Sequence, residues 1–172
     1  MSEAKPAILV VSVIHGSEDR LEEARERLRG HFGPEALASA PYPFDMSRYY
    51  AAEMGEGLER VWLAYAEKVP PEKLVEWKLA CAAIERKMAR GNDRTVNLDP
   101  GYLDFGKLVL ASFKEAPDKI YMGRGVWAHT CLRYGHGRYS APDHSFPDFR
   151  DGRFNGFMRR ARLLLRAVPD VN

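Results

Sequence analysis

Two periods of hydrophobic spacing alternate along this chain, and its first thirty or so residues already contain both. Ala7 to Ile14 is continuously apolar and rich in β-branched residues, as expected of a strand buried on both faces. His15-Gly16 breaks the run. Ser17 can then cap a helix, with Glu18 and Asp19 at the positive end of its dipole and Leu21, Ala24, Leu28 and Phe32 at helical spacing. Gly33-Pro34 stops that helix. Glu35 to Ala40 is expected as a second, short strand, and the prolines at 41 and 43 then force an extended passage through Asp45. Ser47 to Gly57 fits a short helix or a loop. From Leu58 to Val69, Val61, Leu63 and Tyr65 alternate with Trp62, Ala64 and Ala66, which favours a strand.

The clearest helix starts at Pro70-Pro71-Glu72. Leu74, Trp77, Cys81, Ile84 and Met88 form one apolar stripe along it, and Gly91 ends it. Arg94 to Leu98 reads as a strand. Leu103 to Phe113 reads as a helix capped by Asp104, with a buried strand as the alternative. Lys119 to Met122 and Val126 to Tyr134 read as strands joined at Gly123-Arg124-Gly125, and Gly135-His136-Gly137 turns into Arg138-Tyr139. A loop rich in Pro and Asp, Ala141 to Gly152, leads to a last helix. There Phe154, Phe157, Ala161, Leu164 and Val168 face inward and arginines face outward. About three helices and six strands, with no linker to divide them, predict a single α+β domain over residues 1–172. Its expected form is a sandwich on a mixed, largely antiparallel sheet.

At 172 residues the chain can bury a real core. Its 26 basic and 24 acidic residues leave a formal charge of +2, too balanced to favour nucleic acid or a membrane as partner. Cys81 and Cys131 show no paired spacing, so reduced thiols in a cytoplasmic protein are expected. The start of the chain lacks the pattern of a secretory signal. No stretch approaches the roughly 20 apolar residues that span a bilayer.

Three blocks, PYPFDMSRYYAAEMG, RTVNLDPGYLDFGKLVLAS and KIYMGRGVWA, together resemble the signature blocks of a prokaryotic family known as domain of unknown function 4416. The resemblance runs from the first strand to the SFPDFR segment. It implies a single-domain cytoplasmic protein of unsettled activity, whose relatives sometimes carry the label "GTP-binding". It offers no catalytic residues to carry over.

The candidate chemistry begins with the Gly-x-x-x-x-Gly-Lys string from Gly101 to Lys107, which has the order and spacing of a phosphate-binding loop. Leu108 stands where such a loop needs Ser or Thr, Pro100 removes a donor, and Tyr102, Leu103 and Phe105 are bulky. The plain reading is an Asp99-Pro100-Gly101 turn, and the functional one a looser anion site at Lys107. On the Arg94–Asp99 strand, Thr95, Asn97 and Asp99 share a face. On the later strand Trp127, His129, Cys131 and Arg133 do so, suiting a flat anionic ligand unless that face is packed away.

Asp45, Glu53, Asp99 and His129 could converge as acid, base or metal ligands, but their spacing matches no known ligand motif and no metal is assigned. His136 and His144 flank a loop with Asp143 and Asp148 and read as turn and solvent residues. The expected function is binding of a phosphorylated or otherwise anionic, nucleotide-like small molecule. Tyr50, Asn97, Lys107, Arg124, Trp127 and Arg133 would hold it, and Glu53, Asp99 and His129 would supply any acid–base chemistry. No cofactor is assigned. The alternative is a non-catalytic module whose basic last helix, with Arg159, Arg160, Arg162 and Arg166, holds RNA or another protein.

Overall fold

The pairing of the buried first strand decides the architecture. In the computed structural model, which describes residues 4–45 and 48–166, β1 (Ala7–His15) is buried at every position. It lies antiparallel between β4 (Glu59–Val69) and β5 (Val96–Leu103). Beyond β5 the sheet continues through β6 (Lys107–Ser112) and β8 (Val126–Gly135) to β7 (Ile120–Gly123). Two short strands, β2 (Leu37–Ala38) and β3 (Tyr42–Pro43), border β4, and β9 (Arg138–Ser140) borders β8. Every pairing among the described residues is antiparallel, so the α+β class holds but the sheet is not mixed.

Helices cover both faces. On one, Leu21, Ala24 and Leu28 of α1 (Glu18–Phe32) and the stripe of α3 (Leu74–Met88) pack on Leu9, Val11, Val13, Val96 and Leu98. On the other, α4 (Pro147–Arg150) and α5 (Asn155–Leu164), with Phe154 at the N-cap of α5, set Phe149, Phe154, Phe157 and Ala161 against Ile8, Val10, Trp62 and Leu110. Each such fully buried large apolar side chain contributes about 1.5–3 kcal/mol. Ser17 caps α1 as expected, its hydroxyl accepting from the Arg20 amide at 3.4 Å. A single turn, α2 (Ala51–Met54), forms in the segment that fitted helix or loop. Val168 lies outside the described residues, and no helix among them is long and apolar enough to cross a membrane.

The run from Leu103 to Phe113 corrects the expected helix. Leu108, Val109, Leu110 and Ala111 are all buried, two on each side, because β6 runs between helical layers and needs apolar residues on both faces. Asp104 caps a hairpin instead of a helix. Its carboxylate accepts from the amides of Gly106 and Lys107 at 2.7 and 2.8 Å and from the Lys107 ammonium.

Asp99-Pro100-Gly101 is likewise not a turn but the interior of β5. Gly101 is required there by crowding: a Cβ would come within 2.1 Å of the Val109 carbonyl oxygen on β6. Gly101→Ala is therefore expected to destabilise the fold by about 3 kcal/mol or more, the upper end for overpacking, because the obstacle is backbone. Urea unfolding at pH 7 checks this, and a loss below ~1 kcal/mol would show that β5 and β6 can separate freely.

A candidate ligand cavity where two strands part

Beyond Gly101 the two central strands diverge. Pairing of β5 with β6 covers only Gly101–Leu103 against Leu108–Leu110, and Pro100 has no amide hydrogen to extend it. Leu98, two residues back, finds its partners on α3. Its N–H donates to Glu85 Oε1 at 2.5 Å, and its C=O accepts from Lys78 Nζ at 2.9 Å. Lys78 and Glu85 are seven residues apart, hence on one helix face, and both are buried.

From this plug a polar chain runs along the strand. Lys78 Nζ pairs with Asp99 Oδ1 at 2.8 Å, and Asn97 Nδ2 donates to Asp99 Oδ2 at 2.7 Å. Arg94 Nη1 donates to Asn97 Oδ1 at 3.1 Å, pairs with Glu53 at 2.7 Å and lies 5.3 Å from the centre of the Tyr50 ring. Arg60, from β4, donates to Ser12 Oγ at 2.7 Å and pairs with Asp148 of α4 at 3.0 Å. Four rings, Phe44, Trp62, Phe149 and Phe154, lie 5.1–5.6 Å from its guanidinium.

Lys78, Glu85, Asn97, Asp99, Arg94 and Arg60 of this network line a cavity of about 420 Å³, the ordinary size of a small-molecule site. Tyr49, Tyr50, Phe113 and Phe146 add aromatic surface. At its far corner stand Asp118, His129 and His144, with His129 Nε2 3.1 Å from Asp118 Oδ2. Beside them Lys119 Nζ donates to Ser112 Oγ and to the Lys114 carbonyl, each at 3.0 Å.

Burial and charge set the protonation of the lining. Burial alone would raise the Asp99 carboxyl, but Lys78, with help from Arg60 and Asn97, holds it below the usual carboxylate range. A quarter of the Asp99 side chain is open to the cavity. Burial pushes the Glu85 carboxyl up despite Lys78. It pushes His129 and Lys119 down, each against the pull of Asp118. The Cys131 thiol is pushed up to about 12 by burial and stays protonated.

Of the residues picked from sequence, Tyr50, Asn97, Asp99 and His129 line this one cavity, and Glu53 holds Arg94 at its wall. The others lie elsewhere. Lys107 is at the opposite end of β6, paired with Asp104. Its string carries its own carboxylate on the two amides a phosphate would need. Arg124 is at the tip of the β7–β8 turn with φ 55°. Trp127 packs on Tyr121 with ring centres 5.0 Å apart. Arg133 is turned away by a bulge at Cys131, which shifts the register so that Leu132, not Arg133, faces Leu108 and the core. Arg60, Lys78, Glu85, Asp118 and Lys119 went unnoticed. The signal for Lys78 and Glu85 was their heptad spacing beside the apolar stripe of α3.

An antiparallel α+β protein with a largely apolar cavity, crossed by a buried polar chain, at its split sheet is what fold and site together define. The chain belongs to the family described as Domain of unknown function (DUF4416), whose model matches residues 5–164. No curated protein and no solved structure matches it.

Lys78→Met is expected to cost about 3–5 kcal/mol at pH 7, because it leaves the buried Asp99 carboxylate without its counter-charge and the Leu98 carbonyl without its donor. Asp99 has a folded pKa below its unfolded value of about 3.9, so the stability it contributes is complete above that value. That contribution disappears as pH falls through the lowered folded value. The deficit of the variant, measured by urea unfolding, should therefore narrow from pH 7 towards pH 3, and a constant deficit would mean the charge pair is not its source.

Proposed function

We propose that the protein binds a flat, anionic, nucleotide-like small molecule in the cavity beside β5, β6 and β8. One observation carries this reading: Tyr50, Asn97, Asp99 and His129, from three separate stretches of chain, line one hollow together with Arg94 and Lys119. Tyr50 and Phe146 offer ring surface for a planar group. Lys119 makes no ion pair among the described residues and is available to an incoming anion, while Arg94 and Asn97 add donors. Should the ligand be turned over chemically, Asp99 and His129 are the groups placed to move a proton. Asp99 stays ionised beside Lys78, and burial favours neutral His129. Two buried, unpaired thiols, Cys81 and Cys131, fit a cytoplasmic setting.

A second reading places RNA or protein on the arginines of α5, where Arg159, Arg160 and Arg162 border a shallow hollow with Tyr134. Arg162 is already committed there, its guanidinium 3.8 Å from the centre of the Tyr134 ring and donating to the Phe105 carbonyl. The cavity is the better supported site.

A thermal-unfolding scan against nucleotides and sugar phosphates at millimolar concentration tests the proposal. A saturable rise in Tm is expected, with stabilisation of about 2.7 kcal/mol once ligand reaches a hundred times its Kd. Lys119→Ala should weaken binding about tenfold or more, as loss of a charge-assisted hydrogen bond does. Replacing both Arg159 and Arg160 by Glu should leave it unchanged. No shift with any of these compounds would overturn the reading.

A further inference from the structure

At the corner of the cavity three ligand-type side chains meet from segments that no motif connects. Asp118 comes from the loop between β6 and β7, His129 from β8 and His144 from the loop after β9. One ligand atom of each lies within 4.8 Å of the other two. Asp118 Oδ2 is 3.1 Å from His129 Nε2 and 3.7 Å from His144 Nε2. Atoms bound to one tetrahedral ion at roughly 2.0–2.2 Å stand about 3.4 Å apart, so the two Asp118 separations match a shared metal, and His144 Nε2, now 3.3 Å from the Thr130 carbonyl, would turn from it to the ion.

His129 supplies the independent sign. Its side chain is only 6% exposed. Its Nε2 is buried and has no hydrogen-bond partner among the described residues, because Asp118 stands near but out of line. Buried polar atoms are ordinarily satisfied, and three converging ligand atoms around an orphaned nitrogen are what a metal ion would satisfy. The ring cannot easily turn to relieve this, since its Nδ1 faces Cys131 Sγ at 3.7 Å on the other side.

We propose that Asp118, His129 and His144 bind one divalent transition-metal ion. Two imidazoles and a carboxylate suit zinc or ferrous iron, and are poor ligands for calcium or magnesium, which prefer all-oxygen sites. Three protein ligands leave coordination positions open, and since all three residues line the cavity those positions face it. The inference goes beyond anion binding and does not need it.

Titration of the chelator-treated full chain with Co²⁺ tests this by the ligand-field absorption of the bound ion. The expected result is saturation at one equivalent, with Zn²⁺ displacing it. Asp118→Asn and His144→Ala alter exposed residues and should keep the metal-free Tm near the parent's. Each should weaken Co²⁺ binding about a hundredfold or more, because even an outer partner of a ligand is worth roughly 10–100-fold. His136→Ala, in the exposed β8–β9 turn, should change nothing. Absence of stoichiometric binding, or equal affinity in the parent and both cluster variants, would overturn the proposal. The titration uses metal alone, so its failure would leave the nucleotide scan standing, and the reverse.

Discussion

Leu98 keeps its backbone hydrogen bonds although no strand lies beside it on that edge, because Lys78 and Glu85 reach it from α3. A buried strand that loses its neighbour would ordinarily strand a donor and an acceptor, at about 1–3 kcal/mol each. Here one helix face replaces the ladder at Leu98, so β5 parts from β6 there without leaving that residue's backbone unpaired. That separation gives the protein its cavity. One wall of the cavity is polar for the same reason: Lys78 needs a counter-charge, Asp99 provides it, and Asn97 and Arg94 extend the chain of bonds toward Glu53.

Much of the architecture was legible because it obeys simple periodicity. The stripe of α3, the cap of α1 and the alternation in β4 each follow from one local rule and one face to bury. β6 escaped because a short, continuously apolar run satisfies helix and buried strand alike, and only its neighbours decide. Pro100 and Gly101 misled in the opposite sense. Their turn chemistry is real in isolation, but here the missing amide and missing Cβ mark the place where two strands first touch and then part.

The candidate site divides along the same line. Asn97, Asp99 and His129 were reachable by strand alternation, since Asn97 and Asp99 pair with Ile14 and Ser12 on the face that His129 shares through Leu110. Arg133 satisfied the same alternation and was removed by one extra residue at Cys131, a bulge that no periodicity reports. Lys78, Glu85 and Arg60 were overlooked for a different reason: charged residues are normally solvated, and only the parted strands and the ring cluster around Arg60 make their burial tolerable.

Charge decides what such a cavity would hold. Arg60, Lys78, Arg94, Lys114 and Lys119 line it, against the carboxylates of Glu85, Asp99, Glu115, Asp118 and Asp148. Three of the cations are committed to Asp148, Asp99 and Glu53. The protein alone therefore presents a nearly neutral interior, in which an anion is favoured mainly by Lys119. A divalent ion on Asp118, His129 and His144 would change that balance outright, since a bound cation is often the largest local charge in a site. Its positive field would fall on the same volume that Tyr50, Asn97 and Lys119 border, so metal binding would strengthen anion binding, and linkage requires the reverse as well. The two proposed ligands would then be partners in one site, each measurable alone and tighter in the presence of the other, with His129 held by the metal and Asp99 left as the group to move a proton.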